Sequence, residues 1–174
     1  MARERTQSVG PVLLGLLFQG PRHGYELHQE FTDSLGAVWQ IGLSQLYAQL
    51  KALEDEGLVA CQTEVQPNRP PRKVYSLTDA GRAYFLEWLH EPTPHIRGIR
   101  LEFLSRLFLF NRLGLPGLGD LIDRQKALCQ ARAESLSRLA NEAEDPFLRR
   151  VYEFRRGQVE AVIHWLDACG GTPW

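Results

Sequence analysis

The chain has 174 residues, 44% of them hydrophobic, and its 20 Lys and Arg nearly balance its 21 Asp and Glu. No apolar run reaches the length that spans a membrane, and the charged first residues lead into no signal-peptide core or cleavage site, so we expect a cytoplasmic protein. A chain of this size can hold one core, or a small domain plus an oligomerisation element, and we favour two pieces.

Two helices are predicted in the first 36 residues. The first carries apolar residues at helical spacing and ends at Gly20 and Pro21, because both residue types interrupt helices. The second begins at Gly24 and closes near residue 36. Two nearby histidines, His23 and His28, have no Cys or carboxylate at a zinc-binding spacing, so we predict neither a metal site nor a cofactor.

The third predicted helix starts at about residue 43 and is amphipathic. Leu46, Leu50 and Leu53 recur on one of its faces. The opposite face carries polar and small residues, namely Ser44, Gln45, Tyr47, Ala48 and Lys51. The helix can therefore bury one side and present the other. We expect it to end at Gly57, because glycine adopts the left-handed conformation that helix ends commonly need.

A hairpin and a capped helix are predicted next. Residues 59–66 alternate with the two-residue period of a half-buried strand, and residues 73–77 form the return strand. Residues 67–72 contain three prolines and two arginines, which predicts a stiff turn with Arg69 and Arg72 at its tip. Thr78 can cap the following helix by accepting a bond from a backbone N–H, and Asp79 suits the positive helix start.

This order of elements predicts a winged helix-turn-helix, so the expected fold is mainly α with a small β-hairpin. Taken alone, the turn over residues 67–72 is more often a solvated arginine loop than a nucleic-acid contact. Its place directly after a recognition-type helix favours a wing.

Several segments of the first ninety residues resemble the PadR family of bacterial transcriptional regulators. Residues 14–17 and 20–27 are similar to the family's first two helices, residues 46–59 to its recognition helix, and residues 69–81 to its wing and fourth helix. The family usually has a Gly-Thr-Leu-Tyr-Pro run where this chain has Ser44-Gln45-Leu46-Tyr47-Ala48. Because residues expected to face DNA differ from the common pattern, we expect the operator to differ too.

Double-stranded DNA is the expected partner, provided that cations gather on one face. The first 92 residues hold 8 Lys and Arg against 11 Asp and Glu. Their net charge is therefore negative, and only a local cluster of cations can bind the DNA phosphates. Gln45 is the candidate for reading an adenine edge, and Ser44 and Tyr47 for contacting bases or phosphates. The predicted phosphate contacts lie on the third helix, the wing and the leading arm: Lys51, Arg69, Arg72, Lys73, Arg3 and Arg5.

Prolines and glycine around residues 91–98 predict a boundary between a winged helix over residues 1–92 and a three-helix dimerisation domain over residues 93–174. The apolar faces of these helices are too wide for solvated helices, which favours a homodimer over a bundle completed within one chain. This part resembles the helical dimerisation domain of longer PadR members, including virulence activators, with far less specific motifs.

A homodimer predicts that two recognition helices bind a palindromic operator whose half-sites lie about 34 Å, or a multiple of that, apart. The family resemblance implies a repressor, often one relieved by a small aromatic or lipophilic effector held near the dimer interface. Four aromatic residues are candidates for contacting the effector, with core packing as the commoner alternative: Trp88, Tyr152, Phe154 and Trp165.

Other function classes receive less support. No nucleophile elbow, phosphate-binding glycine loop or His-Glu-x-x-His motif is present, so we predict that the chain is not an enzyme. The main alternative is a winged helix that binds another protein, which the acidic balance of the first domain favours somewhat. Cys61, Cys129 and Cys169 are odd in number and far apart, which fits reduced, packed thiols better than disulfides and leaves oxidation sensing as an outside alternative.

Overall fold

The computed structural model describes residues 9–66 and 69–169, apart from the side chains of residues 65, 66, 69 and 70. The order of its elements confirms the predicted fold class, a mainly helical chain with a winged helix-turn-helix followed by C-terminal helices. In chain order they are α1 (Gly10–Leu16) with a 3-10 turn (Leu17–Gln19), β1 (Arg22–His23), α2 (Gly24–Leu35), α3 (Leu43–Asp55), β2 (Val59–Gln66), β3 (Arg69–Leu77), α4 (Asp79–His90), α5 (Ile96–Gly98) with a π-helical turn (Ile99–Phe103), α6 (Leu104–Leu113), α7 (Leu118–Glu142) and α8 (Pro146–Cys169).

The third helix, α3, forms and ends as its sequence predicts. Its three leucines at helical spacing are all buried. Gly57 has a φ of +72°, and the two amides after the helix bond back to it: Gly57 N donates to Glu54 O at 3.0 Å, and Leu58 N donates to Leu53 O at 2.9 Å. This pair of bonds is a Schellman motif, which closes the helix and reverses the chain directly into β2.

The fourth helix, α4, begins at the predicted cap. The Thr78 hydroxyl accepts a hydrogen bond from Gly81 N at 3.0 Å. The same oxygen lies within donating distance of two carbonyls, 2.8 Å from Gly57 O and 3.0 Å from Leu58 O. One side chain therefore satisfies the start of α4 and joins it to the turn that ends α3.

The sheet differs from the predicted hairpin in two ways. It has three antiparallel strands in the order β1-β3-β2, because the two-residue strand β1 pairs with Tyr75 and Val74 of β3. Moreover, β3 begins at Arg69 and Arg72 pairs with Glu64, so the prediction of a turn over residues 67–72 is wrong. Residues 67 and 68 lie outside the described part of the chain.

The prolines of β3 explain why the sequence suggested a turn. Pro70 and Pro71 cannot donate backbone hydrogen bonds, which usually excludes proline from a central strand. Here β1 reaches only Val74 and Tyr75, so β3 is an edge strand along its first residues. The pairing with β2 is also irregular between Glu64 and Gln66. Because of both features, the sheet does not require backbone N–H donors at Pro70 and Pro71.

Contacts divide the chain into two compact units that do not coincide with the predicted boundary at residue 92. One unit holds the residues up to Glu91 together with Arg100–Leu115, and the other holds Pro92–Ile99 and the residues from Pro116 onward. The helix α6 belongs to the first unit because it packs against α1 and α4. As a functional boundary between DNA binding and dimerisation, residue 92 stays a prediction.

A buried arginine helps to hold α6 in the first unit. The Arg106 side chain is only 3% exposed. Its Nε donates to Trp88 O at 2.9 Å, and its guanidinium lies 4.4 Å from the centre of the Trp88 ring. Burial lowers the pKa of Arg106 to about 10, against the opposing effect of the Glu102 and Glu91 carboxylates. The side chain therefore remains a cation at neutral pH and caps the end of α4 from the neighbouring helix.

The second unit is built on a hairpin of two long helices, α7 and α8, which pack along each other. The buried side chains of the hairpin include Leu121, Ile122, Cys129, Leu136, Val159 and Leu166. Gln125 is also buried, where its Nε2 donates to Thr93 O at 3.0 Å and its Oε1 accepts from Thr93 N at 2.6 Å. These two bonds tie the segment before α5 to α7. None of the helices over the described residues combines the length and apolar character that crossing a membrane requires.

A second ionic cluster joins three elements of the first unit. Glu30 on α2 accepts from the Arg112 guanidinium of α6, and Arg22 Nη1 of β1 lies 3.3 Å from the other oxygen of the same carboxylate. Arg22 Nε also donates to Leu16 O at 3.3 Å. The Glu30 side chain is only 14% exposed, so these two guanidinium groups, and little water, surround its carboxylate.

Replacing Glu30 with Gln should destabilise the chain, because both arginines lose their anionic partner. We expect the free energy of unfolding to fall by about 1–2 kcal/mol, less than for a fully buried pair because both arginines are partly exposed. Denaturant unfolding measures the change. The matched control is Glu87→Gln on the exposed face of α4, and equal stabilities of the two variants would contradict this role for Glu30.

Candidate nucleic-acid interface

The exposed face of α3 carries the predicted recognition residues. Five side chains that the sequence placed on one face, Ser44, Gln45, Tyr47, Ala48 and Lys51, are all exposed. The leucines of the opposite face are buried, so the helix cannot roll without exposing them. The structure therefore holds a polar helix face in a fixed orientation, which is the geometry that major-groove reading requires.

The start of α3 is positioned by a contact that the sequence did not reveal. His28 on α2 lies with its Nε2 3.0 Å from Ile41 O, two residues before α3 begins. The residue at the helix cap is Gly42, which has no side chain to bond the first amides. Ser44 and Gln45 thus lie beside uncapped, electropositive backbone at the point where a recognition helix meets nucleic acid.

Lys51 is exposed, but it already has two anionic neighbours. Its Nζ lies 2.7 Å from Asp55 Oδ1 and 3.5 Å from Glu54 Oε2. The hydrogen bond to Asp55 and the charges of Asp55 and Glu54 raise the pKa of Lys51 above its ordinary value. The ammonium is therefore fully protonated at neutral pH, but it must leave or share these carboxylates in order to contact a phosphate.

The strands separate the predicted wing cations. Arg72 and Lys73 are adjacent and exposed on β3, and successive side chains of a strand leave opposite faces. Lys73 shares its face with Tyr75, whereas Arg72 lies opposite Glu64 of β2. The backbone of Arg69 begins β3 while its side chain is outside the description, and Arg3 and Arg5 also lie outside the described residues.

The four candidate effector residues occupy different environments. Trp88 is buried in the first unit, where its ring lies 6.3 Å from that of Phe85 and beneath Arg106. The other three lie on α8 in the second unit. Tyr152 and Phe154 are two residues apart and therefore project about 200° from each other around the helix. Phe154 is 66% exposed, whereas Tyr152 and Trp165 are half-buried.

The cysteines and histidines form no second site in the described part of the chain. Cys61, Cys129 and Cys169 are free thiols, of which Cys129 and Cys169 are buried and Cys61 is half-buried. Burial raises the pKa of both Cys129 and Cys169, which lowers their reactivity. Across residues 9–66 and 69–169, no group of three or more His, Cys, Asp or Glu side chains could hold a metal ion.

Comparison with known proteins identifies the family. The model of the transcriptional regulator PadR-like family matches residues 13–87. The negative transcriptional regulator PadR of Bacillus subtilis is 33% identical over 126 residues, which cover 71% of this chain and 68% of that protein. A probable transcriptional regulator of Mycobacterium tuberculosis is 31% identical over 162 residues, which cover 83% of this chain and 86% of that protein.

The fold matches as well. The crystal structure of Bacillus subtilis PadR in complex with operator DNA superimposes with a TM-score of 0.51 at 24% identity, covering 95% of this chain and 98% of that one. Since the sequence similarity to the two regulators extends over most of this chain and of each relative, it reaches beyond the winged helix. The chain belongs to the PadR-like family of transcriptional regulators.

Proposed function

We propose that this chain is a sequence-specific DNA-binding repressor that acts as a homodimer on a palindromic operator. The exposed polar face of α3, fixed by buried leucines on the opposite face, carries this proposal. The Bacillus subtilis relative, which is 33% identical, is named a negative transcriptional regulator, and a Bacillus subtilis PadR of the same fold was crystallised with operator DNA. Since the family consists of regulators, the prediction that the chain is not an enzyme is confirmed.

The proposed contacts divide between base reading and phosphate binding. Gln45 lies in the first turn of α3, where its amide can pair with N6 and N7 of adenine, and Ser44 lies beside it. The proposed phosphate contacts are Lys51, Arg69, Arg72, Lys73, Arg3 and Arg5. Because Lys51 is paired with two carboxylates, we expect modest non-specific affinity and a larger share of the binding free energy from base reading and dimerisation.

The proposed dimer rests on apolar surface left open by the α7–α8 hairpin. Large side chains exposed by at least a third of their area lie along both helices, namely Leu128, Leu139, Phe147, Leu148 and Phe154. Leu128 and Leu139 lie on α7, and the other three lie on α8. Burying such residues against a second copy removes apolar area from water at roughly 25 cal/mol per Å², which favours pairing of two chains through these helices.

We also propose that a small aromatic or lipophilic effector weakens DNA binding. Of the four candidate residues, Phe154 is the most exposed, and its ring, which is part of the proposed dimer surface, offers a flat apolar face to an effector held there. Trp88 is committed to packing against Phe85 and Arg106, so an effector would reach it only after that packing opens.

The alternative function is protein binding through the same winged helix. The net acidity of the first 92 residues supports it, and a partner protein would compete for the Lys51 and Arg72 surface. The two functions differ in their response to salt, because neutralising DNA phosphates releases condensed counterions.

A mobility-shift titration distinguishes these functions. The purified chain is mixed with the DNA immediately upstream of its coding region, across a series of salt concentrations. We expect a sequence-specific shift with two chains per site, and an association constant that falls steeply with salt. A folded, dimeric chain that shifts no DNA would favour the protein-binding alternative or a different operator.

Two substitutions should separate base reading from phosphate binding. Gln45→Ala should lose about 1–3 kcal/mol of discrimination between operator and altered operators while keeping its salt dependence. Arg72→Ala should weaken binding to all sequences and reduce the slope of log K against log salt by about one. Gln130→Ala and Arg138→Ala are the matched controls on the exposed side of α7. A uniform loss of affinity in both test variants would refute the assigned roles.

An effector should raise the melting temperature of the chain and change its tryptophan fluorescence. A panel of phenolic compounds and cationic dyes provides the ligands, and a compound at 100 times its Kd should stabilise the chain by about 2.7 kcal/mol. Phe154→Ala should weaken this response, whereas Tyr25→Ala, which removes a similarly exposed aromatic ring from α2, should not. If no compound changes either signal, the effector proposal fails.

A further inference from the structure

The ring of Tyr47 occupies a space that a glycine leaves open. A Cβ atom built on Gly24, the first residue of α2, would lie 2.5 Å from Cε1, 2.9 Å from Cζ and 3.0 Å from Oη of Tyr47. These distances are shorter than ordinary van der Waals contacts. The ring therefore rests directly on the backbone of α2, where any other residue type would displace it.

Space, and not backbone freedom, is what Gly24 provides. It is the first residue of an ordinary α-helix, and its φ lies outside the left-handed region that favours glycine. Alanine would fit this backbone without strain and would raise the helix propensity. The helix backbone does not require glycine at position 24, whereas the contact with Tyr47 does.

A tyrosine of the sheet, Tyr75, lies near the same ring. Tyr75 is almost fully buried on β3 and pairs in register with Arg22 of β1, two residues before Gly24. Burial raises the pKa of Tyr75 to about 12, with further contributions from the nearby Cys61 and Tyr47 side chains. Tyr47 of the recognition helix therefore lies against the first turn of α2 and near Tyr75 of β3.

We propose that Tyr47 is a positioning residue for the recognition helix, and not a direct contact to a base or phosphate. Its ring, seated on Gly24, sets the orientation of the first turns of α3, and thereby the placement of Ser44 and Gln45 in the groove. This inference rests on the proposed DNA-binding function and replaces the direct role that the sequence suggested for Tyr47.

The orientation of the side chain supports positioning over direct contact. Cζ and Oη, the atoms at the far end of the ring, are among those closest to the Gly24 position. A tyrosine that contacts DNA uses this same hydroxyl end. In this structure that end lies over α2, although Tyr47 as a whole is 39% exposed.

Four single variants of the full chain and one double variant test the inference, with the upstream DNA and an unrelated duplex as probes. Tyr47→Phe keeps the ring and removes the hydroxyl, Tyr47→Ala removes the ring, and Gly24→Ala displaces it. Gly119→Ala in α7 is the matched control, because a Cβ there meets nothing within 4 Å. The readouts are the ratio of specific to non-specific affinity and the melting temperature.

We expect Tyr47→Phe and Gly119→Ala to keep the affinity ratio within about twofold of the original chain. Tyr47→Ala and Gly24→Ala should lower it by about tenfold, comparable to misreading one base pair. Because both changes unseat the same ring, the double variant should be no weaker than Tyr47→Ala alone. A residue needed only for stability would change the melting temperature and leave the affinity ratio of the folded chain unaltered.

Three results would overturn the inference. If Tyr47→Phe loses as much discrimination as Tyr47→Ala, the hydroxyl contacts DNA directly. If Gly24→Ala binds both DNAs like the original chain, the contact between the Tyr47 ring and α2 does not affect recognition. If the original chain shifts neither DNA, the proposed function itself fails and this inference with it, an outcome distinct from a failure confined to the Tyr47 variants.

Discussion

The burial of one leucine face of α3 is the constraint on which the rest of the DNA-binding unit depends. Leu46, Leu50 and Leu53 lie in the core, and a helix fixed along one side necessarily presents the other in a single orientation. The Schellman turn at Gly57 then directs the chain into the sheet, and Thr78 joins that turn to α4. These contacts connect the recognition helix, the strands and α4, and together they fix the positions of these elements.

Electrostatics in this chain are local rather than global. The sequence is nearly neutral overall, and the lysine on the recognition helix is held by its own helical neighbours, Glu54 and Asp55. Such exposed pairs contribute little to stability. In the proposed DNA complex they would compete with phosphates for the Lys51 ammonium, which would weaken binding to arbitrary DNA and leave a larger share of the operator affinity to base reading.

Two arginines in the first unit serve the fold and not the proposed interface. Arg106 bonds the carbonyl of Trp88, and Arg112 pairs with Glu30. Both lie on α6, a helix that the sequence assigned to the dimerisation domain. This helix has apolar side chains on more than one side, and it packs against both α1 and α4. The first compact unit therefore includes a helix from beyond the proline-rich segment.

The sequence by itself determined the elements whose signals are local. Leucine spacing located α3, Gly57 marked its end, and Thr78 marked the start of α4. The exposure of the candidate residues on α3 followed from the same periodicity, because exposure on one helix face is a consequence of helical geometry.

Only the tertiary structure decided the features that depend on distant residues. The prolines at positions 70 and 71 predicted a turn. They can lie in a strand because β1 does not pair with β3 at these positions, so no strand there requires their backbone hydrogen bonds. β1 is two residues long and has no periodicity to detect. The packing of α6 and the contact between Gly24 and Tyr47 join residues that are remote in sequence. Local sequence patterns determine the conformation of a segment. The elements that pack against it are determined by the complementarity of the surfaces that become buried.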